Sequence, residues 1–292
     1  MERTIKMLRR FFCVLTAALT LWLSGCAVKT KKADINEIGE GLTVYSFKAG
    51  KADAHLIYGE DWAVLIDCGE KGFGKNILKY MQENGIERLD YLVITHFDKD
   101  HVGGAAKVLK DAEVGAVLQS NSPKGSGEYD NYLDALEEKG ITPVTVRERV
   151  SFTPGGAEFT VDPPQREVYQ KEPSNNSSLI TEIVYGKRSF LFAGDAQDER
   201  LAEYTAANDK TFDFVKVPYH GHWQKELAPF AESVKASVAV ITSSDKEPED
   251  QETVVLFERT GAEVFQTRTA DVIVRCDGED IAAAYVGKGS AE

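Results

Sequence analysis

Hydrophobic and polar positions alternate in short, regular blocks from about residue 39 onward. Short apolar runs between glycines and charged residues predict β-strands, whereas apolar residues recurring every three or four positions predict helices. In residues 74–84, for example, Ile77, Leu78 and Met81 fall on one helical face. Residues 89–95 are almost continuously apolar, which indicates a strand buried on both faces.

The same reasoning predicts elements along the whole of residues 39–290. The predicted strands cover residues 42–47, 54–58, 62–67, 89–95, 114–118, 144–146, 158–161, 179–185, 189–193, 214–217, 237–241, 271–276 and 280–285. The predicted helices cover residues 74–84, 104–111, 128–139, 198–207, 227–234 and 254–260. Strand meanders and strand-to-helix crossovers occur in both halves, so we expect one domain with two sheets covered by outer helices.

Composition narrows the class of protein. The 292 residues are 42% hydrophobic and 28% charged, which is typical of a globular chain and excludes extensive disorder. No segment offers ~20 consecutive apolar residues, so a membrane-spanning helix is not predicted. The net charge of -13 argues against a surface that coats nucleic acid non-specifically. Nucleic acid held in one locally positive cleft stays open.

The first residues are typical of a targeting segment. Basic residues precede an uncharged apolar run over residues 11–23, which is the length of a signal-peptide core. The run ends in Leu-Ser-Gly followed by Cys26, which resembles the bacterial lipobox. We therefore expect a signal peptide over residues 1–25, a lipid on Cys26 and a tether over residues 26–38. The protein would then be anchored to the cell membrane outside the cytoplasm; a plain signal peptide with a chance cysteine is the alternative.

The two remaining cysteines outside this segment are Cys68 and Cys276, and both fall in or beside predicted strands. An exported protein could pair them. Their apolar surroundings favour two buried, unpaired cysteines instead.

The strongest local signal for chemistry is the segment Thr-His-Phe-Asp-Lys-Asp-His at residues 95–101. His96, Asp98, Asp100 and His101 all carry side chains that bind divalent cations. In an extended turn, residues 96 and 98 would project to one side while 100 and 101 diverge, which suits two neighbouring cations better than one. The segment follows a buried strand, at the strand end where open sheets usually bind ligands.

Two later segments have the same character. Asp195 follows the predicted strand 189–193, and His220 and His222 follow the strand 214–217. Alone, each signal is weak, since a carboxylate after a strand is often a helix cap. Together they place carboxylates and imidazoles at the ends of three strands, and these segments hold four of the five histidines.

The pattern as a whole resembles the metallo-β-lactamase superfamily over essentially all of residues 39–290. The superfamily signature is H-x-H-x-D-H, and this chain has H-x-D-x-D-H at residues 96–101. That variant resembles the ComEC-like subgroup, the hydrolase domain of competence DNA-uptake proteins. The further matching segments are Asn-Asn-Ser-Ser-Leu at 175–179, Phe-Ala-Gly-Asp at 192–195, Lys-Val-Pro-Tyr-His-Gly at 216–221, Gly-Ala-Glu-Val-Phe-Gln-Thr at 261–267 and Asp-Gly at 277–278. The resemblance implies an α+β fold, a four-layer αβ/βα sandwich of two mixed sheets with outer helices.

The resemblance also implies a ligand set for two divalent cations. In it, one cation is bound by His96 and Asp98, the other by Asp100, His101 and His220, and both by Asp195. The segment that supplies another histidine in the wider superfamily offers Asn175 and Asn176 here. One cation therefore has fewer protein ligands, and the carboxylate-rich set makes Mn²⁺ or Mg²⁺ a competitor of Zn²⁺.

Catalysis would use water activated by the cations. Asp98 or Asp100 would orient or deprotonate that water, and the candidate donors to the leaving group or oxyanion are His222, Tyr219 and the loop containing Asn176 and Ser177.

These observations lead to one preferred function and two alternatives. The preferred function is a cell-surface metal-dependent hydrolase of phosphoester or phosphodiester bonds, of the nucleic-acid or wall-polymer type. One alternative is hydrolysis of β-lactams or lactones. The other is a non-catalytic binding module on the cell surface, and no protein partner can be inferred.

Overall fold

Two β-sheets lie face to face in residues 34–287, the part of the chain that this computed structural model describes. The strands are β1 (Leu42–Ser46), β2 (His55–Tyr58), β3 (Ala63–Ile66), β4 (Arg88–Ile94), β5 (Glu113–Gln119), β6 (Val144–Thr145), β7 (Val150–Phe152), β8 (Glu158–Asp162), β9 (Ile180–Tyr185), β10 (Arg188–Phe192), β11 (Phe214–Lys216), β12 (Val238–Ile241), β13 (Glu263–Gln266), β14 (Val272–Cys276) and β15 (Ile281–Tyr285). The helices are α1 (Gly74–Glu83), α2 (Lys99–Val102), α3 (Ala105–Asp111), α4 (Gly127–Lys139), α5 (Asp198–Ala207), α6 (Leu227–Val234) and α7 (Gln251–Arg259).

Both sheets are mixed. The first has the order β15-β14-β1-β2-β3-β4-β5-β6, and the second has the order β13-β12-β11-β10-β9-β8-β7. Strands β3 to β6 are parallel in the first sheet, and β10 to β13 are parallel in the second. The parallel strands supply the carboxyl ends at which the candidate site is built, as expected for open α/β arrangements.

Three apolar clusters hold the layers together. The central cluster packs side chains of both sheets against each other, among them Val44, Phe159 and Phe190. The other two clusters each join one sheet to its helices, the first to α1, α3 and α4 and the second to α5, α6 and α7. The order helix–sheet–sheet–helix confirms the predicted four-layer α+β sandwich.

Most predicted elements occur within one to three residues of their expected bounds, and three elements were missed. Strands β7 and β13 lie at the two ends of the second sheet, where each pairs with one neighbour. Such edge strands are short and need no continuous apolar pattern. Helix α2 replaces the extended turn expected through residues 99–102, because the amides of His101 and Val102 donate to the Asp98 carbonyl.

Two further expectations concern cysteines and membranes. Cys68 and Cys276 are buried and free, as predicted. Among residues 34–287, no helix is both long and apolar enough to cross a membrane. The predicted signal peptide and the lipidated Cys26 lie outside the described residues.

Candidate metal centre

The first half of the site is the loop that follows β4, and it is anchored by an apolar side chain. Phe97 is buried, and its ring centroid lies 4.5 Å from that of Tyr129 on α4. Because neighbouring side chains in extended backbone point in opposite directions, His96 and Asp98 face away from this contact. His96 is fully buried, whereas the Asp98 side chain is 25% exposed.

Asp67, directly after β3, fixes this loop and the histidine of α2. Its carboxylate accepts hydrogen bonds from the amide and the hydroxyl of Thr95, at 2.8 and 2.6 Å. The second carboxylate oxygen also lies 2.7 Å from Nδ1 of His101. Since Nδ1 is engaged there, Nε2 of His101 points into the site. A carboxylate that contacts the other ring nitrogen in this way fixes the orientation of a ligating imidazole.

The second sheet supplies the other half of the site. Asp195 follows β10, and His220 lies in the short turn Pro218–Gly221 after β11. In that turn both Tyr219 and His220 have left-handed backbone, with φ of 48° and 53°. Non-glycine residues adopt this region rarely, and such strain is concentrated at functional sites. The turn directs the His220 ring back over the sheet end toward Asp195.

These residues converge on a small region. The Asp195 Oδ2 atom lies 3.0 Å from Nε2 of His220 and 3.3 Å from Nε2 of His101. The Asp100 Oδ2 atom lies 3.5 Å from the same His220 nitrogen. Among residues 34–287, four groups of three side chains have all their ligand atoms within 4.8 Å of one another. Two of these groups consist of predicted ligands alone, namely His96, His101 and Asp195, and Asp100, His101 and His220. Asp98 lies at the edge, with Oδ1 3.9 Å from Nε2 of His96.

The donor set fits divalent cations. The Nε2 atoms of His96, His101 and His220 are buried. That of His96 makes no hydrogen bond within residues 34–287, whereas those of His101 and His220 face carboxylate oxygens at 3.0 to 3.5 Å. A buried imidazole nitrogen without a hydrogen bond is costly unless something else binds it. Imidazole and carboxylate together suit Zn²⁺ and Mn²⁺, and these residues could hold such ions.

Beneath the cluster lies a buried floor, formed by Asp53, Lys216 and Thr242. The Lys216 ammonium lies 2.5 Å from Oδ2 of Asp53 and 3.4 Å from Oδ1 of Asp195. It also donates to the Gly194 carbonyl at 2.9 Å. The second oxygen of Asp53 accepts a hydrogen bond from Thr242, whose hydroxyl lies 3.1 Å from Nδ1 of His220. The floor thus supports both Asp195 and His220.

Sequence reasoning missed the floor, although a signal was present. Lys216 is the last residue of a short strand, between Val215 and Val217, and is 1% exposed. A lysine in a strand that must be buried needs a partner inside the protein. Its partner Asp53 is separated from it by more than 160 positions, so the sequence alone did not reveal the pair.

The charges of the cluster favour cation binding. Burial would raise the pKa of Asp195, but His220, His101 and Lys216 hold that pKa well below its usual range. The pKa of Asp100 is likewise lowered, against the effect of burial, chiefly by its hydrogen bond with His220 and by His101. Burial and the neighbouring His101 lower the pKa of His96 to about 4. Ionised carboxylates and a neutral His96 are therefore available at neutral pH.

The site opens into a cavity of about 810 Å³. On its rim, which we define as Asp98, Lys124 and Ser174, the Asp98 carboxylate accepts hydrogen bonds from the other two side chains. Asp100, Asp195 and Tyr219 also line the cavity, so the carboxylates among the proposed ligands are accessible to a substrate.

Two residues predicted to be catalytic, Asn176 and His222, are not among the residues described as lining the cavity. The Asn176 side chain is 1% exposed, donates to the Lys171 carbonyl and accepts from the amide of Arg200, so it holds the loop to α5. Its neighbour Asn175, by contrast, lines the cavity. His222 is absent from the described lining of the cavity, and its ring lies beside Tyr219 with centroids 5.2 Å apart.

Comparison with known proteins supports this geometry. Residues 48–243 match the family model of the metallo-beta-lactamase superfamily. ComE operon protein 3 of Bacillus subtilis is 26% identical over 241 residues, which are 78% of this chain and 30% of that protein. Recombination protein 2 of Haemophilus influenzae is 28% identical over 251 residues, which are 84% of this chain and 28% of that protein. The chain thus spans less than a third of the length of these relatives, which agree with the ComEC-like resemblance.

Solved structures share the fold at low sequence identity. The metallo-beta-lactamase fold protein YhfI from Bacillus subtilis is 11% identical, with a TM-score of 0.52, over 78% of this chain and 96% of that one. CmlA, a diiron beta-hydroxylase from Streptomyces venezuelae, is 18% identical, with a TM-score of 0.50, over 78% of this chain and 53% of that one. The sandwich, the ligand cluster at its strand ends and the family match together show that this chain belongs to the metallo-beta-lactamase superfamily.

Proposed function

We propose that this chain is a metal-dependent hydrolase of phosphoester bonds, with phosphodiesters as the preferred substrates. The observation that carries the proposal is that the imidazoles of His101 and His220 meet the Asp195 carboxylate beside an open cavity lined by three lysines. The two similar proteins named for a ComE operon and for recombination favour nucleic acid within that class.

Six side chains would hold two cations. They are His96, Asp98, Asp100, His101, Asp195 and His220. Divalent cations, when bound, lower the pKa of water to about 7 and neutralise charge on a phosphoryl group. Asp195 lies close to His101 and His220 and forms a group with His96 and His101, so it would bind both cations. The cations would in turn compensate its negative charge.

The remaining residues of the cavity would position the substrate and move protons. Asp100 and Asp98 are ionised, so each can accept a hydrogen bond from the attacking water and orient it. Tyr219 lines the cavity, and burial together with Asp195 raises the pKa of its hydroxyl, so it would act as a neutral donor. Asn175, which lines the cavity, takes the donor role in this proposal, because both polar atoms of Asn176 are engaged within the protein.

A matched screen tests this function. The full chain, purified in a nonionic detergent and stripped of metal, would receive Mn²⁺, Zn²⁺ or Mg²⁺ and then bis-p-nitrophenyl phosphate, p-nitrophenyl phosphocholine, single-stranded DNA or nitrocefin. We expect metal-dependent hydrolysis of a phosphoester, with nitrocefin untouched. Hydrolysis of nitrocefin alone would favour the β-lactam alternative, and metal binding without any hydrolysis would favour a binding module.

We also propose that the protein is held on the outer face of the cell membrane by a lipid on Cys26. The support is the basic start, the apolar run and the small residues before this cysteine. Cys26→Ala should release the protein from the membrane fraction while metal-dependent activity is kept, since the lipid serves as an anchor. Retention of the variant in high-salt-washed membranes would contradict the lipid anchor.

A further inference from the structure

We propose that the cavity beside the metal centre binds a linear phosphodiester chain, with Lys51 and Lys124 contacting phosphates on either side of the bond to be hydrolysed. This inference rests on the proposed function and adds the two side chains that would bind the phosphates on either side of the reacting one.

The two lysines lie at opposite ends of the ligand cluster. Lys51, between β1 and β2, has its ammonium 3.5 Å from Oδ2 of Asp100, which belongs to the group with His101 and His220. Lys124, between β5 and α4, contacts Asp98, which lies nearest to His96. A phosphoryl group at the cluster would therefore have one ammonium on each side.

Both lysines are partly exposed and can be reached from solvent. The side chain of Lys51 is 21% exposed and that of Lys124 is 39% exposed. An ammonium beside low-dielectric protein attracts phosphate more strongly than one in bulk water.

The cavity is large and polar enough for more than one phosphate. A volume of about 810 Å³ is in the range that holds drug-sized ligands. Lys99 also lines it, and so do the neutral hydrogen-bonding side chains of Ser122, Ser126, Ser174, Asn175 and Tyr219. Lysine recognises phosphate as a point charge. The side chains that line the cavity would therefore recognise the charge of the phosphate backbone and not the sequence of the bases.

Charge balance makes anion binding depend on the cations. Three lysines and five carboxylates line the cavity, so without cations it repels a phosphate chain. Three of those carboxylates, Asp98, Asp100 and Asp195, are proposed ligands. Two divalent cations would reverse the sign of the cavity, while the overall charge of -13 still repels a polyanion elsewhere. The cavity would therefore bind a phosphodiester chain only when the cations are bound.

The test measures binding and its salt dependence. Fluorescein-labelled, phosphorothioate-linked octathymidylate would be titrated with the full chain in nonionic detergent plus Mn²⁺, and anisotropy recorded between 0.05 and 0.4 M KCl (roughly the range over which phosphate contacts are weakened strongly). Lys51→Met and Lys124→Met should each lower the slope of log affinity against log salt by about 0.7 and weaken binding roughly fivefold at 0.1 M KCl. EDTA should abolish binding.

Controls separate charge from structure. Lys107→Met removes an exposed lysine that is paired with Asp111 on α3 and should leave slope and affinity unchanged. Lys51→Arg and Lys124→Arg should keep the slope, since the charge is kept. Wild-type slopes in both methionine variants, or no binding by the wild type with Mn²⁺, would overturn the inference.

Two further experiments distinguish nucleic acid from wall polymer as the bound chain and separate binding from hydrolysis. Unlabelled oligothymidylate and a glycerol-phosphate oligomer would compete with the probe at equal phosphate concentration, and the better competitor indicates nucleic acid or wall polymer. Failure of both to compete would overturn the inference. Hydrolysis of bis-p-nitrophenyl phosphate by the same preparation tests the proposed function separately. Hydrolysis with unchanged salt slopes would contradict only the binding of a phosphate chain by the two lysines. Lowered slopes without hydrolysis would contradict only the hydrolase function.

Discussion

The floor and the rim of the metal centre are built on different principles. On the floor, Asp53 and Lys216 are each 1% exposed and lie 2.5 Å apart, beneath Asp195 and His220. On the rim, Asp98 is partly exposed and is held by Lys124 and Ser174, whose side chains reach it from loops. The floor therefore fixes its ligands before any cation arrives, whereas the rim depends on groups that solvent can replace.

This difference predicts unequal cation sites. Ligands held by buried, charged partners lose little freedom on binding, so the site containing His101, His220 and Asp195 should be the tighter one. The site containing Asp98 lacks a further histidine and should bind its cation weakly.

The largest effect should come from the floor. Lys216→Met removes the ammonium that lies 2.5 Å from the buried Asp53 carboxylate. Because a buried charge then loses its strongest partner, we expect a loss on the order of 3–5 kcal/mol in the free energy of unfolding. Urea unfolding of the metal-free protein measures this. Lys187→Met is the matched control, because Lys187 pairs with Glu279 on the surface and should cost under ~1 kcal/mol. Equal stability of the two variants would show that the floor has no special role.

The next effect concerns Asp195, which joins the floor to both groups of ligands. Asp195→Asn keeps the size of the side chain but removes the charge that would hold two cations together. We expect a loss in phosphodiesterase rate of ~10²-fold or more at matched metal content, because misplaced reacting groups cost about that much. Circular dichroism would check the fold. A near-normal rate would reduce Asp195 to a structural residue and contradict the two-cation assignment.

The rim should respond less and more selectively. Asp98→Asn should lower the affinity of the weaker cation site on the order of tenfold and leave the affinity of the tighter site unchanged. Calorimetric titration of metal-stripped protein with Mn²⁺ resolves the two binding steps. If the tighter step moved instead, the order of the two sites would be reversed.

A smaller effect is expected from pH. Burial lowers the pKa of His101 and His220, but Asp195 and the other neighbouring carboxylates raise both overall. Both imidazoles therefore keep protons above the ordinary histidine pKa in metal-free protein. A cation must displace these protons, so its affinity should rise with pH through that range. Calorimetry in buffers of different ionisation enthalpy should show about one to two protons released per chain; none released would contradict the assignment of these ligands.

The strand ends could be predicted from the sequence because their signals are local. Residues 95–101 place four ligand-type side chains directly after a buried strand, and Asp195 and His220 follow strands that are apolar throughout. The structure brings five of the six proposed ligands together and leaves Asp98 at the edge. Periodicity and short-range spacing carry this much because they report strand burial and strand ends.

The floor and the cavity wall could not be predicted in the same way. Lys216 meets Asp53 because the two sheets pack face to face. Lys51 meets Asp100 because the loop between β1 and β2 contacts α2, where the Asp53 amide donates to the Asp100 carbonyl. The roles of neighbouring residues within a loop were equally hidden, since Asn175 lines the cavity while Asn176 binds Lys171 and Arg200. Such distinctions depend on side-chain direction in irregular backbone, which no periodic pattern reports.

The central claim is that this cluster is a divalent metal centre that hydrolyses phosphodiesters. The most direct measurement titrates metal-stripped wild-type protein with Mn²⁺ while bound metal and hydrolysis of bis-p-nitrophenyl phosphate are recorded on the same samples. We predict close to two ions per chain, one bound more tightly, with hydrolysis rising as the weaker site fills. Full hydrolysis without bound metal, or no metal bound at any concentration, would contradict the account.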